Sequence, residues 1–316
     1  MRSRSFSISL LRISWPIETG GSNQVLQVLQ EFEPEYVFHF AGLVSISDCN
    51  EDPYEAVDNN ILGSINVMNG CVKAGVKRII FSETSAVYEN CKMPRSGYNE
   101  TQSDPTTVYS TTKACLALLA ESYQRTKGLN YTALRYFNVA GPLQDYNRTI
   151  PPVFAGFILR IKGGHNPIVF GDYNKARDYI DVSDVNAFHI LCMENEKTAN
   201  QTFNLGTGKM TNLMELKNMI ADIMGVKVDF DHYDPIAGEA LHIRGDISKA
   251  MSMGGAFTSM VDDASSAYWN PGSIAHIKKN KFQITNANWL IDTSWLYGSY
   301  VQKVDYRSTL AVNVFY

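Results

Sequence analysis

The chain of 316 residues lacks the features that mark disulfide-rich, metal-binding, membrane-spanning or nucleic-acid-binding proteins. Its five cysteines are odd in number and form no CxxC pair, which predicts free thiols in a reducing compartment. The six histidines have no metal-ligand spacing, so we expect no metal site. A net charge of −4 gives no basic face for nucleic acid, and no apolar run is long enough to span a bilayer.

The first residues, "MRSRSFSISLLRISWPIE", combine early arginines with an apolar patch and thus weakly resemble a secretion signal. Arg12 interrupts that patch, and no small-residue cleavage site follows it. The sequence therefore favours a cytoplasmic protein that does not associate with membranes.

Alternating short apolar segments and amphipathic segments predict an α/β fold from about residue 22 to residue 250. Near-continuous apolar runs such as "YVFHFAG" (36–42), "KRIIFSE" (77–83) and "NYTALRY" (130–136) are typical of parallel strands buried on both faces. The apolar spacing predicts helices over 22–32, from Pro53 to Gly75 and over 108–127. In the second helix the residues expected to face inward are Val57, Ile61, Ile65, Met68 and Val72.

The character of the chain changes between Lys249 and Gly254. The following segment is rich in glycine, serine and alanine and has no helical period. Near the end, apolar residues alternate with a period of two, which predicts strands; these residues are Leu310, Val312, Val314 and Tyr316. Residues 251–316 are therefore expected to form a short β-rich extension.

Tyr109 and Lys113, in "YSTTK", are candidates for acid–base chemistry. Residues four apart share one face of a helix, so the two side chains can occupy one site. A tyrosine acts as a base only if its pKa of about 10 falls by roughly 3 units, and a nearby ammonium group lowers it in that direction. Taken alone, the pair is more often surface decoration than a catalytic dyad.

Two further segments favour a catalytic role for Tyr109 and Lys113, because they lie at the ends of neighbouring strands. "SETSAVY" (82–88) follows one buried strand, and "RYFNVAGP" (135–142) follows the next. Ligands of doubly wound sheets bind beyond the carboxyl ends of the strands. Three elements that converge on this edge predict a site.

These segments carry a resemblance to a known family. "HFAGL", "NNILGSINVMNG", "TSAVY", "YSTTK", "LRYFNVAGP", "GDYNKARDYIDVSDV" and "FNLGTG" occur in the order and spacing of the extended short-chain dehydrogenases/reductases. The sequence is most similar to their NAD-dependent epimerase/dehydratase family, of the UDP-glucose 4-epimerase type. The resemblance implies a Rossmann-like doubly wound parallel sheet, truncated at its start, with a smaller substrate-binding α/β part. It divides the chain into an unassigned segment (1–21), an NAD-binding part (22–150), a nucleotide-sugar-binding part (151–250) and the extension (251–316).

The resemblance also implies site residues. The catalytic residues would be Thr84, Tyr109 and Lys113. Those beside NAD would be Phe40, Ala41, Gly42, Asn60 and Tyr136, and those beside the nucleotide sugar would be Ser85, Asn138, Phe170, Arg177 and Glu239. Individually, Asn60 could cap backbone groups, Arg177 could pair with Asp178 or Asp181, and Thr84 could end a strand. The implied substrate is a UDP-hexose; a homodimer is left open.

The implied reaction is a transient oxidation of the sugar at carbon 4. Tyr109 would take the proton of the 4-hydroxyl, Thr84 would hydrogen-bond the same oxygen, and Lys113 would favour the phenolate. Dehydratases of the superfamily carry an Asp-Glu pair directly after the catalytic threonine. Ser85 and Ala86 stand there in this chain, which argues against 4,6-dehydration.

The sequence departs from the family in its cofactor loop. None of the 22 glycines forms a GxxGxxG pattern, and only 35 residues precede "YVFHF", whereas one strand–helix–strand unit takes about 30. The family's first strand is therefore expected to be missing, which would expose the edge of the 36–42 strand. "FSISLLRISW" (6–15) could form a replacement strand. Val44 and Ile236 also replace a lysine and an arginine of the family.

Residues 252–316 carry a second resemblance, to the start of outer-membrane β-barrel proteins of the fatty-acid-transporter-like and type IX secretion kinds. A small β extension of the sugar-binding part is the alternative. Three functions thus stay open at this point: an NAD-dependent epimerase, a non-catalytic remnant that binds a sugar nucleotide, and an envelope-associated protein.

Overall fold

The largest parallel sheet in the computed structural model of the chain has four strands. The structure describes residues 22–147, 151–235, 241–253, 281–289, 293–303 and 309–315. The described helices are Ser22–Phe32 (α1), Ile46–Glu51 (α2), Pro53–Val57 (α3), Gly63–Ala74 (α4), Val108–Lys127 (α5), Val153–Lys162 (α6), Val182–Glu194 (α7), Leu213–Met224 (α8) and Ser248–Ser252 (α9). The described strands are Tyr36–His39 (β1), Arg78–Thr84 (β2), Asn130–Tyr136 (β3), Asn138–Ala140 (β4), Ile168–Phe170 (β5), Ala176–Arg177 (β6), Tyr179–Asp181 (β7), Gln201–Leu205 (β8), Thr211–Asn212 (β9), Asp231–Tyr233 (β10), His242–Ile243 (β11), Lys281–Trp289 (β12), Thr293–Lys303 (β13) and Thr309–Phe315 (β14).

The main sheet has the strand order β1–β2–β3–β8, and all of its pairs are parallel. Apolar residues cover both of its faces. On one face Phe81 packs in a cluster with Met68 of α4 and Leu116 of α5, and on the other Ile80 packs in a cluster with Phe188 of α7. The predicted doubly wound α/β fold is confirmed. Because the strands are parallel, all four carboxyl ends lie at one edge of the sheet.

Strand β1 is less buried than its apolar sequence predicts. Only His39 in this strand is buried, while Phe38 and, just after it, Phe40 are 38% and 45% exposed. The physical reason is position: within the described part of the chain, β1 pairs with β2 alone and is an edge strand. The proposed replacement strand, residues 6–15, lies outside the described residues.

The helix predicted from Pro53 to Gly75 is interrupted by a π-helical turn at Asp58–Leu62. A π turn takes more residues than an α turn, so it rotates the face that follows it. Val57, expected to face inward, is 40% exposed, whereas Met68 is buried as predicted. Asn60, Ser64 and Cys71, which were not predicted to face inward, are buried as well. The interrupted helix still ends at Gly75, whose left-handed φ of 70° closes it.

Smaller elements lie beyond the main sheet. Strand β4 pairs with β7, β5 with β10, and β6 with β9 and β11. Helices α6 and α8 pack around Phe157, Ile220 and Phe230. No helix in the described ranges is both long enough and apolar enough to cross a membrane.

Near the end of the chain, β12, β13 and β14 form an antiparallel sheet in sequence order. Strand β14 covers most of the segment in which a period of two predicts a strand. The similarity of residues 252–316 to barrel proteins and the proposed domain boundaries stay predictions.

Candidate functional site

The carboxyl ends of three neighbouring strands bring candidate residues to one rim of the sheet. Thr84 ends β2 and is in register with Tyr136, which ends β3. Phe40, Ala41 and Gly42 follow directly after β1. The end of the Lys113 side chain, from helix α5, reaches the loop at Gly42, since a Cβ atom placed there would lie 3.6 Å from the Nζ of Lys113.

Helix α5 begins at this rim, and its first turn is held by a cluster of hydrogen bonds. Thr107 and Ser110 form a reciprocal capping box, and the carboxylate of Glu89 accepts from the backbone N–H of Thr107 and the hydroxyl of Ser110. A carboxylate at a helix N-terminus is also stabilised by the helix dipole. These bonds fix the turn that carries Tyr109, which is half-buried. The sequence reasoning predicted where this helix starts but missed the hydrogen bonds that hold its first turn.

Lys113 lies one helical turn after Tyr109 and is almost completely buried, with 3% of its surface exposed. Its Nζ donates to the backbone carbonyl of Ser82 at 3.2 Å and contacts the Ser82 hydroxyl at 3.3 Å. Burial lowers the pKa of Lys113 to about 8, and the carboxylate of Glu83 opposes that shift. A lysine in this position places a cation directly beside the end of β2.

Thr84 and Ser85 are both buried at the end of that strand. The Oγ1 of Thr84 accepts a hydrogen bond from the backbone N–H of Ala86 at 3.2 Å. Since the hydroxyl uses a lone pair in this bond, its proton can be donated to a ligand oxygen beyond the strand.

Asn60 connects the loop after β1 to helix α5. Its Oδ1 accepts from the backbone N–H of Leu43 at 2.7 Å, and its Nδ2 donates to the Leu43 carbonyl and to the Oγ1 of Thr112, both at 3.0 Å. The side chain therefore caps backbone groups, the simpler of the two roles considered above. Through these bonds it also fixes the position of Gly42 relative to Lys113.

Tyr136 is hydrogen-bonded across the rim to a residue that the sequence reasoning did not single out. Its hydroxyl lies 2.6 Å from the Nε2 of His189, whose ring also lies 4.8 Å from that of Phe40. Burial raises the pKa of Tyr136 and lowers the pKa of His189 to about 4. Both groups are neutral at pH 7, so the contact is a hydrogen bond between neutral groups, and the tautomer of His189 decides which of them donates.

The residues expected to contact the nucleotide sugar are more dispersed. Asn138 begins β4, next to the rim, and its backbone N–H donates to the carbonyl of Asp178. Phe170 and Arg177 lie in the smaller sheets; the Nη1 of Arg177 donates to the carbonyl of Leu241. The Asp178 carboxylate accepts from the backbone N–H groups of residues 207, 208 and 245. Glu239 and Ile236 lie outside the described residues.

The resemblance implies that NAD binds at this rim. Gly42 packs closely against Asn60, because a Cβ atom placed there would lie 2.8 Å from the Oδ1 of Asn60. The ring of Phe40 in the same loop is 45% exposed, and the Nζ of Lys113 would lie 3.6 Å from a Cβ atom at Gly42. An exposed aromatic ring is suited to contact a flat ring such as the nicotinamide of NAD. No glycine-rich GxxGxxG loop occurs in the sequence, so no residue of the chain is assigned to the pyrophosphate.

Known proteins are similar to the part of the chain that contains these strand ends. The model of the NAD dependent epimerase/dehydratase family matches residues 17–206. A putative UDP-glucose 4-epimerase of Methanocaldococcus jannaschii is 32% identical over 221 residues, which are 70% of this chain and 71% of that protein.

Two solved structures share the fold at comparable identity. The UDP-glucose 4-epimerase of Thermotoga maritima with UDP-glucose superposes with a TM-score of 0.72 at 30% identity, covering 76% of this chain and 78% of the other. The UDP-glucose 4-epimerase of Thermus thermophilus in complex with NAD gives 0.69 at 27% identity, covering 75% and 77%. The family match extends over more than half of the chain and includes the rim at the strand ends. The chain therefore belongs to the NAD-dependent epimerase/dehydratase family of enzymes.

Proposed function

We propose that the chain is an isomerase that inverts carbon 4 of a UDP-hexose, with NAD as its cofactor. The observation that carries the proposal is the placement of Lys113. Its ammonium group is buried against the carbonyl of Ser82, two residues before Thr84 and one helical turn after Tyr109. This arrangement gathers a base, its activating cation and a hydroxyl donor at one rim, where doubly wound sheets bind ligands.

Each of the three residues has a chemical task in this proposal. Bound NAD supplies the capacity to take a hydride from carbon 4 and to return it. Tyr109 removes the proton of the 4-hydroxyl, and Thr84 donates its hydroxyl proton to the same oxygen. The charge of Lys113 stabilises the phenolate of Tyr109 and so lowers its pKa.

The remaining site residues are proposed to hold the two ligands. Phe40, Ala41, Gly42, Asn60 and Tyr136 line or support the space for NAD, and Ser85, Asn138, Phe170, Arg177 and Glu239 contact the sugar nucleotide. The guanidinium of Arg177 is suited to a diphosphate, because it can donate two parallel hydrogen bonds to phosphate oxygens. Two of the relatives described above are named as a putative UDP-glucose 4-epimerase and a UDP-glucose 4-epimerase, which supports a UDP-hexose as the substrate of this chain.

The experiment is a turnover assay with UDP-galactose and NAD, in which UDP-glucose is followed by proton NMR. Tyr109→Phe removes the base and should lower turnover by at least about 100-fold, as is typical for loss of a general base. Tyr54→Phe is the matched control, because Tyr54 is 90% exposed and is not one of the proposed site residues. Equal turnover by Tyr109→Phe and wild type would contradict the assignment. Binding of UDP-galactose without turnover would favour a non-catalytic sugar-nucleotide-binding protein.

A further inference from the structure

A buried ion pair lies directly beside the proposed catalytic threonine. Glu83 precedes Thr84 in β2 and is only 2% exposed. It is in register with Arg135 of β3, whose Nε donates to the Oε2 of Glu83 at 2.5 Å. A buried charge is tolerated when it is paired and hydrogen-bonded, and here the pairing is across two adjacent strands.

The guanidinium of Arg135 is held from its other side as well. Its Nη1 donates to the hydroxyl of Tyr88 and to the carbonyls of Glu100 and Gln102, each at 3.0 Å. The Tyr88 hydroxyl in turn donates to the Oδ1 of Asn204 in β8 at 2.7 Å. The network fixes Arg135, and through Arg135 it fixes the carboxylate of Glu83.

This network leaves half of the Glu83 carboxylate without a partner. Its Oε1 is buried and forms no hydrogen bond with any residue that the structure describes. The carbonyl that accepts from Lys113 belongs to Ser82, so the ammonium group contacts the peptide unit that joins Ser82 to Glu83. Glu83 is thus the residue directly after the one that accepts from Lys113, and its charge acts on the ammonium group.

Few other charges act on Lys113. The described titratable groups beside it are the buried imidazole of His39, the thiol of Cys49, the phenol of Tyr109 and Glu83. Burial lowers the pKa of His39 to about 4 and raises the pKa of Cys49, so both groups are neutral at pH 7. Among these groups Glu83 supplies the negative charge; burial raises the pKa of its carboxyl, and the charge of Arg135 opposes that shift.

We propose that Glu83 is a positioning residue whose buried carboxylate keeps Lys113 a cation and thereby sets the charge that Tyr109 experiences. The role of Tyr109 rests on the proposed function, whereas the effect on Lys113 does not. Burial already lowers the pKa of Lys113 to about 8, so a further decrease would leave much of the lysine neutral at pH 7.5. A neutral lysine does not stabilise a phenolate.

The test is NMR titration of the Lys113 Nζ in protein labelled with ¹⁵N-lysine, with the signal identified by its loss in Lys113→Met. Glu83→Gln should move the Lys113 midpoint to lower pH by about one unit or more, the range usual for a close opposite charge. In the turnover assay the same variant should shift the pH–rate profile to higher pH, because Tyr109 then ionises less readily.

Two further variants separate the charge effect from damage to the fold. Glu83→Gln combined with Arg135→Met removes both charges and leaves no unpaired guanidinium, and it should shift Lys113 in the same direction. Glu100→Gln is the matched control, since the Glu100 Oε1 accepts from the Asn204 backbone N–H in the same network, whereas the Lys113 Nζ is bonded at Ser82. An unchanged Lys113 midpoint in both Glu83 variants would overturn the inference. Because the titration needs no substrate, a shifted midpoint without turnover would count against the proposed function alone.

Discussion

Two buried histidines should make the protein sensitive to mild acid. His39 is 5% exposed, and its Nε2 lies 2.8 Å from the Oγ of Ser64. His189 is 8% exposed and bonded to Tyr136. Burial lowers the pKa of each from 6.5 to about 4, and the charge of Lys113 contributes at His39. Replacing each by glutamine keeps a polar side chain but removes the titration.

The sign and size of the effect follow from these pKa values. The unfolded chain binds a proton at each histidine near pH 6.5, whereas the folded chain binds it only near pH 4. Protons therefore favour the unfolded state as the pH falls through this window, and stability is lost. Between pH 7 and pH 5 the loss is about 1.8 kcal/mol for each histidine, or about 3.6 kcal/mol for both.

Urea unfolding followed by circular dichroism at pH 7, 6 and 5 measures this loss. Between pH 7 and pH 5, the free energy of unfolding of the double variant His39→Gln, His189→Gln should fall by about 3.6 kcal/mol less than that of wild type. Asp184, whose pKa burial raises to about 6, acts in the opposite direction but equally in all variants. The exposed His165→Gln is the matched control and should behave as wild type. If wild type and the double variant lost stability in parallel, the two histidines would not be the source.

Three substitutions test other parts of the account, each by urea unfolding at pH 7. Lys113→Met should raise the free energy of unfolding by about 3 kcal/mol while abolishing turnover, because a buried lysine whose pKa falls from 10.5 to about 8 is costly to keep charged. Arg78→Met should lower it by about 3 kcal/mol, since the fully buried Arg78 bonds the Cys192 carbonyl and Glu196. Gly206→Ala should lower it by about 2 kcal/mol, because a Cβ there would lie 2.7 Å from the Oδ2 of Asp178.

Control variants show which outcomes would contradict these three predictions. Lys77→Met removes an exposed cation from the same Glu196 and should cost less than about 1 kcal/mol. Gly156→Ala, in a helix with no neighbour closer than 3.4 Å, should be neutral or stabilising. The account fails if Lys113→Met destabilises the protein, if Arg78→Met matches Lys77→Met, or if Gly206→Ala matches Gly156→Ala.

Local sequence signals predicted much of what places the candidate site. Apolar runs located β2 and β3, and the helix over 108–127 has the predicted bounds. The convergence of Thr84 and Tyr136 follows from parallel pairing, which the strand–helix alternation already indicates. The roles of the individual side chains stay predictions, since proximity does not show which of them touches a substrate.

Other features depend on contacts that a local pattern does not contain. The π turn at Asp58–Leu62, which contains the buried Asn60, shifts the residues after it out of phase with a regular helix. The pairing of Glu83 with Arg135 joins residues 52 apart in sequence and requires the register between β2 and β3. The exposure of Phe38 depends on which strands flank β1, and an apolar run alone does not specify its neighbours.

The most direct test of the central claim uses UDP-galactose deuterated at carbon 4. Oxidation and reduction at that carbon within one site would return the label, so the account predicts UDP-glucose that retains deuterium at carbon 4 and almost no turnover by Tyr109→Phe. Loss of the label to solvent, or turnover that survives Tyr109→Phe, would contradict it.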